Sequence, residues 1–316
     1  MAETLIDSTD FNFPGQVSVR HGKVRDIYDL GNTLLLVTTD RYSAFDRNLA
    51  LIHHKGELLT AISRWWFEQT NSIIKNHVKS YPDPNVVWCD KYKVLPIEMV
   101  VRGYITGVTN TSLWHNYSQG QRDFGDFTLP EGLHKNQKLP APVLTPTTKF
   151  EKHDRPLTPK EAVEEGLVEA SVWEKVQDIA LKLFQFGQKT AESKGLILVD
   201  TKYEFGLDEQ HNLVLIDEVH TPDSSRYWRA DSYQQQIDRG EEPDNYDKEF
   251  LRLWFKARFD PYEDTPAPTP PTQVLDELTN RYTYVYEQLS GQKFIPATGD
   301  PITRINTSVL RALQNF

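Results

Sequence analysis

The chain has 316 residues, with 45 acidic against 35 basic side chains, a formal net charge of −10 and 38% hydrophobic residues. That balance supports a real core in one large domain or two lobes, and it disfavours nucleic acid and anionic membrane as partners unless basic groups cluster locally. The single cysteine, Cys89, excludes an internal disulfide and a thiolate metal cage. No apolar run approaches the roughly 18 residues of a membrane span. The start of the chain lacks a basic-then-apolar leader, so a cytoplasmic protein is expected.

In chain order, residues 1–15 read as a loose lead-in. GKVRDIYD (22–29) and TLLLVTT (33–39), separated by Leu30-Gly31-Asn32, read as a β-hairpin. Leu58, Leu59, Ile62, Trp65, Trp66 and Ile73 recur at helical spacing over 56–74. Residues 94–101 (VLPIEMVV) read as a strand bent at Pro96. Residues 118–156, rich in Gly, Pro, Thr and Lys, read as long irregular structure of the kind that is often functional. Thr158, Pro159 and Glu161 form a capping box opening an interrupted helical pattern that runs to Lys194, with Gly195 as its stop. LILVDTKYEF (196–205) and LVLIDEV (213–219) form a second hairpin across a turn centred on Gln210. Helices are expected over 247–258 and 273–290, separated by a Pro-rich surface connection at 260–272. A short helical pattern, SVLRALQNF, ends the chain. The order of elements predicts an α+β protein.

Six stretches carry candidate chemistry. The second hairpin puts Glu204 opposite a position next to Asp217, with Asp200, Lys202 and Glu218 nearby. Two carboxylates so close repel unless a cation holds them, and Mg²⁺ takes such oxygens together with phosphate. The plain alternative is a solvated hairpin face. Gly22-Lys23-Val24-Arg25-Asp26 offers close backbone approach and alternating cations to a phosphate, or is simply a basic edge strand. Thr221 to Trp228 (TPDSSRYW) is a donor-rich turn suited to an anion, or a plain turn before a helix cap. Arg102, ending the apolar run from Glu98 and Met99 and followed by Gly103 and Gly107, suits anion pairing on a cleft floor, or marks a strand ending in solvent. Residues 40–47 (DRYSAFDR) read as a polar loop. Thr145 to Lys149, with His153 and Asp154 beyond, reads as a loop able to close on an acid, or as a linker. GxSxG, HExxH, GxGxxG and a Walker loop are all absent, and the nine histidines show no metal spacing.

Taken in order, GKVRDIYD, TTDRYSAFD, KGELLTAIS, EMVVRGYITG, LPAPVLTPTTK, HD, LILVDTKYEFG and IDEVHTPDSSRYW resemble the phosphoribosylaminoimidazole-succinocarboxamide synthase (SAICAR synthase) family over roughly residues 15–260. The resemblance implies a two-lobed, kinase-like or ATP-grasp-like α+β fold. A small antiparallel β lobe (1–98) would bind ATP, and a larger α+β lobe (99–316) would carry the metal and substrate sites, with ATP between them. It implies that Gly22, Lys23 and Arg25 line the ATP phosphates, that the stretch at Glu98 and Met99 meets adenine, and that Glu204 and Asp217 hold Mg²⁺. Arg102, Asp223, Ser225 and Arg226 would bind the anionic ribotide, Lys149 would belong to the loop near the aspartate, and Asp200 and Lys202 would stand at the reacting groups with Lys23. Where the family commonly has Ser after the glycine of RGYITG, this chain has Val108, so Ser112 or a nearby Thr is expected to replace it.

The implied reaction condenses 5-amino-1-(5-phospho-D-ribosyl)imidazole-4-carboxylate (CAIR) with L-aspartate in purine biosynthesis. It consumes ATP and gives SAICAR, ADP and phosphate through an acyl phosphate. Partners would be these small molecules alone, in a monomer or small homo-oligomer. A kinase would need an HRD-like catalytic loop, which is missing. A nucleotide-binding regulator without catalysis would have no need of the carboxylates and lysine found here.

Overall fold

The computed structural model describes residues 4–109, 111–151, 155–263 and 265–315. His153 and Asp154 of the candidate loop lie outside them. The chain divides into two compact units. The first comprises the residues up to Trp66, His77–Lys91 and the residues from Tyr246 onward; the second comprises Phe67–Asn76 and Tyr92–Asn245.

The first unit is built on a five-stranded sheet in the order β1-β2-β3-β7-β6. Its strands are β1 (Ser18–His21), β2 (Arg25–Asp29), β3 (Thr33–Thr38), β6 (Val78–Asp83) and β7 (Val86–Asp90); β4 (Arg41–Ala44) and β5 (Arg47–Leu51) form a separate hairpin. The expected 22–39 hairpin is β2–β3, turning at Gly31 (φ 88°), with Asp29 accepting the Gly31 N–H at 2.8 Å. The polar loop expected at 40–47 is instead the β4–β5 hairpin. Its two turn residues, Phe45 and Asp46, both have positive φ (54° and 58°), the left-handed pair that matches strand twist in a two-residue connection. Helix α1 (Lys55–Thr70) follows, ending four residues before the predicted stop.

In the second unit a long strand organises a seven-stranded sheet. β8 (Lys93–Val94) and β9 (Ile97–Tyr104) replace the single bent strand, divided at Pro96 as a missing donor requires. Helix α2 (Leu113–Ser118) precedes β10 (Lys138–Leu144) and β11 (Thr147–Thr148). The segment 118–156 is therefore less irregular than expected, because both of these strands complete the edge of β9. Helix α3 (Pro159–Glu164) opens with the predicted reciprocal capping box, in which Thr158 Oγ1 accepts from Glu161 N and Glu161 accepts from Thr158 N. Of the helical pattern Val172, Val176, Ile179, Leu183 and Phe184 expected from the sequence, helix α4 (Ala170–Glu192) buries all but Ile179, which is half-buried beside buried Ala180, and Gly195 follows with φ 73°.

β12 (Leu196–Leu207) pairs with β9, β8, β13 (Leu213–Ile216) and β14 (Ser225–Arg229). The β12–β13 turn is closed by Asp208, whose Oδ1 accepts from Gln210 N at 3.0 Å and Asn212 N at 2.8 Å. An Asx turn of this kind lets a short polar side chain stand in for backbone partners. Helix α5 (Ala230–Asp238) completes the unit.

The chain then returns to the first unit with α6 (Glu249–Lys256), α7 (Thr272–Ser290) and α8 (Pro301–Gln314). Ile305 and Val309 of α8 share a core with Phe11, Phe13, Tyr28, Leu35, Val37, Val86 and Trp88. Leu251, Phe255, Leu278 and Tyr282 share another with Tyr42, Ile52, Leu58 and Leu59. The division thus departs from the expected single boundary at residue 98. Residues 246 onward supply apolar faces that the early strands and α1 need, and a sheet or helix with one uncovered apolar face is not stable alone. Among the described residues, no helix is long and apolar enough to cross a membrane.

Candidate active site

The alternation of side chains along β12 puts Asp200, Lys202 and Glu204 on one face. Register then adds residues from neighbouring strands. Asp200 stands opposite Arg102 of β9 and opposite Arg226 of β14, and Lys202 stands opposite Val100. Directly opposed residues share a face, so the three strands build one polar strip.

At one end of the strip Asp200 Oδ2 takes two guanidinium groups, Arg226 Nη1 and Arg102 Nη1, the latter at 3.4 Å. Arg102 is further held by Thr145 Oγ1, which accepts from its Nε at 2.8 Å, and by the Thr111 carbonyl, which accepts from Nη2 at 3.2 Å. Burial draws the Arg102 pKa down to about 10, against the pull of Asp200 and with some help from Arg226, so the group stays protonated at neutral pH. Gly107 (φ 96°) passes close by. A Cβ there would sit 2.5 Å from Ser112 Cβ and 3.4 Å from Arg226 Nη2, so only a glycine admits this approach. Ser112, the expected replacement, is therefore packed against the Gly107 main chain near the Arg226 guanidinium, its hydroxyl donating to Thr109 O at 2.6 Å.

At the other end, two carboxylates and two ammonium groups form a closed cluster. Lys202 Nζ lies 2.7 Å from Glu98 Oε1 and 3.0 Å from Glu204 Oε1, and Lys149 Nζ lies 2.5 Å from Glu204 Oε2 and 3.6 Å from Glu98 Oε1. Burial opposes the Glu204 charge, but Lys202 and Lys149 outweigh it and pull the pKa down to about 2. Glu98 goes the other way: burial raises its pKa, Lys202 lowers it and the neighbouring Glu204 raises it again. Lys202 titrates well above its ordinary value, because Glu204, Glu98 and Asp217 together overcome burial. The expected hairpin geometry holds, with Glu204 opposite Ile216 and Asp217 next along the chain. Asp217, however, leaves the strand at φ 67°. Among the described residues no group of three or more His, Cys, Asp or Glu side chains gathers as a metal cage. Both Glu204 oxygens are engaged by Lys149 and Lys202, and Asp217 adds a further carboxylate whose charge acts on Lys202.

Two expected residues, Met99 and Ser225, are placed differently. Met99 is fully buried on the face away from Glu98. Ser225 stands opposite Thr201, one residue out of phase with Arg226, and shares a hydrogen bond with Thr201 Oγ1 at 2.7 Å on the reverse face. Asp223 is buried in the turn before β14, its N–H donating to Thr221 Oγ1 at 3.3 Å. Thr145 was expected in the Thr145–Lys149 loop but not as a partner of Arg102, and the Thr111 carbonyl had no sequence signal. The alternation of Glu98, Val100 and Arg102 against Asp200, Lys202 and Glu204 was the signal available for the Glu98 cluster.

Gly22, Lys23 and Arg25 belong to the first unit. Gly22 N donates to Arg25 O at 2.7 Å in a turn where a Cβ would come within 2.9 Å of that same oxygen. Arg41 supports the turn from below, donating to Gly22 O at 2.9 Å and Lys23 O at 3.2 Å while paired with buried Asp26 at 2.8 Å. Lys23 Nζ contacts Asp46 Oδ1 at 2.6 Å, and both side chains are exposed. Between β1 and β3, the segment is not the basic edge strand of the plain alternative.

Paired guanidinium groups beside a lysine–carboxylate cluster make a charged site, suited to anionic reactants rather than to a neutral ligand. The family described as SAICAR synthetase matches residues 18–269. A phosphoribosylaminoimidazole-succinocarboxamide synthase of Legionella pneumophila (strain Paris) is 54% identical over 274 residues, covering 87% of this chain and 88% of that protein. A chloroplastic protein of the same name from Arabidopsis thaliana is 52% identical over 305 residues, covering 96% and 74%. Among solved structures, a SAICAR synthase from Saccharomyces cerevisiae complexed with SAICAR has a TM-score of 0.77 at 34% identity, covering 91% of this chain and 99% of that one. A type-2 SAICAR synthetase in complex with ADP has a TM-score of 0.68 at 25% identity, covering 88% and 100%. The chain belongs to the SAICAR synthetase family.

Proposed function

We propose that this chain is an ATP-dependent carbon–nitrogen ligase that condenses CAIR with L-aspartate to give SAICAR, ADP and phosphate. The observation that carries the reading is the in-register triple Arg102–Asp200–Arg226, set on the same strip as Glu98, Lys149, Lys202 and Glu204. A carboxylate is a poor electrophile with no leaving group. In the proposed sequence the γ-phosphoryl group of ATP passes to the CAIR carboxylate, a P–O bond forming as the bond to ADP breaks. The aspartate amine then attacks the acyl phosphate, the C–N bond forms, phosphate leaves and the amine gives up a proton.

Such a transfer needs alignment and neutralised charge more than covalent participation. Arg102 and Arg226 hold the ribotide as fixed, always-charged forks, with Ser112 and Asp223 at their flank. Asp200, between the two, is the acceptor proposed for the amine proton. Lys202 and Lys149 bring positive charge to the reacting carboxylates, and Lys149 is assigned to the aspartate side. In the first unit, Gly22, Lys23 and Arg25 offer bare main chain and cations to nucleotide phosphates. Glu98 and Met99 are proposed for the adenine, Met99 through its main chain because its side chain faces the core. Ser225 supports the turn carrying Asp223.

Glu204 and Asp217 are the residues that would hold Mg²⁺. Their hard oxygens, with Glu204 ionised down to about pH 2, suit that ion. When bound, it would neutralise phosphate oxygens. A cytoplasmic monomer or small homo-oligomer acting on these small molecules is part of the same proposal. ADP release with ATP, Mg²⁺ and CAIR, measured with and without L-aspartate, tests it. Aspartate-dependent release with a new amide product is expected. Release without aspartate would instead indicate a kinase, and no release from folded protein would withdraw the ligase reading.

A further inference from the structure

Eight residues, 217–224, connect β13 to β14, and two non-glycine residues among them adopt left-handed backbone: Asp217 (φ 67°) and His220 (φ 48°). Such conformations cost on the order of 1 kcal/mol or more each and persist only when the surroundings enforce them. Here the enforcement is visible. His220 is fully buried. Its Nε2 hydrogen-bonds Tyr203 Oη, and its carbonyl accepts from Tyr227 Oη at 2.6 Å. Its ring lies on Gly187 of α4, where a Cβ would come within 2.4 Å of His220 Cε1 and 2.9 Å of Nδ1.

Both tyrosines are strand neighbours of site residues on the opposite face. Tyr203 sits between Lys202 and Glu204, and Tyr227 follows Arg226. The connection is therefore pinned, from behind the sheet, to the same two strands whose front faces carry the charged strip. Burial lowers the imidazole pKa to about 3, so the ring stays neutral and its bond to Tyr203 persists across the working pH range.

We propose that His220 is a positioning residue. Pinned by Tyr203, Tyr227 and the bare surface of Gly187, it holds residues 217–224 in the left-handed course that sets where the Asp217 and Asp223 carboxylates lie. The inference rests on the functional reading above for what those carboxylates bind.

The test uses the full-length protein and two variants. Tyr203→Phe removes one hydroxyl from an otherwise intact core. His220→Asn tolerates positive φ but lacks the ring. Affinity for Mn²⁺·ADP is measured by titration, alongside the melting temperature. Loss of an outer support of this kind typically weakens metal binding by about 10-fold or more, and that loss is expected in both variants. A lower melting temperature with unchanged affinity in both would overturn the inference, since that is what a merely structural role produces. If His220→Asn does not fold, Tyr203→Phe alone decides. Wild-type protein that binds no Mn²⁺·ADP would overturn the functional reading and this inference with it, whereas affinity retained by both variants overturns the inference alone.

Discussion

Asp200 and Arg226 face one another across β12 and β14, and the Asp200 oxygen that takes the Arg226 guanidinium also takes that of Arg102. One carboxylate thus separates two cations, Arg102 buried and Arg226 partly buried. Asp200→Asn leaves the two guanidinium groups repelling each other with little solvent to screen them. Removing one partner from a buried ion pair typically costs about 3 kcal/mol or more, so a clear fall in urea midpoint is expected. Loss of a general base adds a kinetic effect of about 100-fold or more on kcat. Full turnover in this variant would remove Asp200 from the proton-transfer role.

Glu204→Gln keeps the shape of the side chain and discards the charge that Lys149 and Lys202 surround. Aspartate-dependent ADP release is expected to fall by at least about 100-fold, the scale of losing a main electrostatic contributor. Mn²⁺·ADP binding is expected to fall with it. Retained metal–nucleotide binding would separate Glu204 from the proposed metal site.

Acid stability follows from the same cluster. The folded-state pKa of Glu204, about 2, lies below its ordinary 4.5. Its stabilising contribution is therefore complete above about pH 5 and lost as pH falls from 4.5 toward 2. Glu98, shifted upward, works with the opposite sign, since the stability it confers at low pH is lost as pH rises through its raised pKa. In Lys202→Met the Glu204 pKa is expected to return toward the ordinary carboxylate range, flattening its contribution below pH 5. Urea midpoints of wild type and variant between pH 7 and pH 3 check this, and parallel curves would contradict the assigned coupling.

Lys23 offers a contrast, because its pair with Asp46 is exposed on both sides. Surface pairs contribute about 0–1 kcal/mol, so Lys23→Ala is expected to leave stability nearly unchanged. If Lys23 meets a nucleotide phosphate, the charged hydrogen bond lost there is worth roughly 1.5–3 kcal/mol, about 10-fold or more in the KM for ATP. A steady-state comparison at fixed CAIR and aspartate separates the two effects.

Gly56 tests the packing of the first unit. A Cβ there would lie 2.4 Å from the Thr38 carbonyl oxygen and 2.5 Å from Asn85 Nδ2. Thr38 O also accepts from Asn85 Nδ2, and Gly56 N donates to Asp40, so neither neighbour can yield freely. Gly56→Ala is expected to destabilise by about 2–3 kcal/mol through overpacking, read as a lower urea midpoint.

What was legible in the sequence was local. A turn centred on Gln210 dictates the Glu204–Ile216 register, and Thr158-Pro159 with Glu161 dictates a helix start, because each rests on residues a few positions apart. β10 and β11 were missed because Pro140, Pro142 and Pro146 suppress strand propensity, and only the open edge of β9 makes those strands worth forming. The Glu98 cluster needed the β9–β12 pairing across about a hundred residues; the alternation along each strand is visible in the sequence, but not which strand it faces. Ser225 illustrates a finer limit. Proximity in sequence to Arg226 suggested a shared role, but period-two alternation turns it to the other face.

The return of α8 to the early sheet has a consequence for biosynthesis. Phe11, Phe13, Tyr28, Val86 and Trp88 await Ile305 and Val309, which emerge roughly two hundred residues after β7. At a translation rate of about 5–20 residues per second, that apolar face stays uncovered on the ribosome for roughly 10–40 s. The second unit, complete once Asn245 has emerged, is free to fold during that interval. A nascent chain halted before α8 is thus expected to carry one finished unit and one that solicits a chaperone.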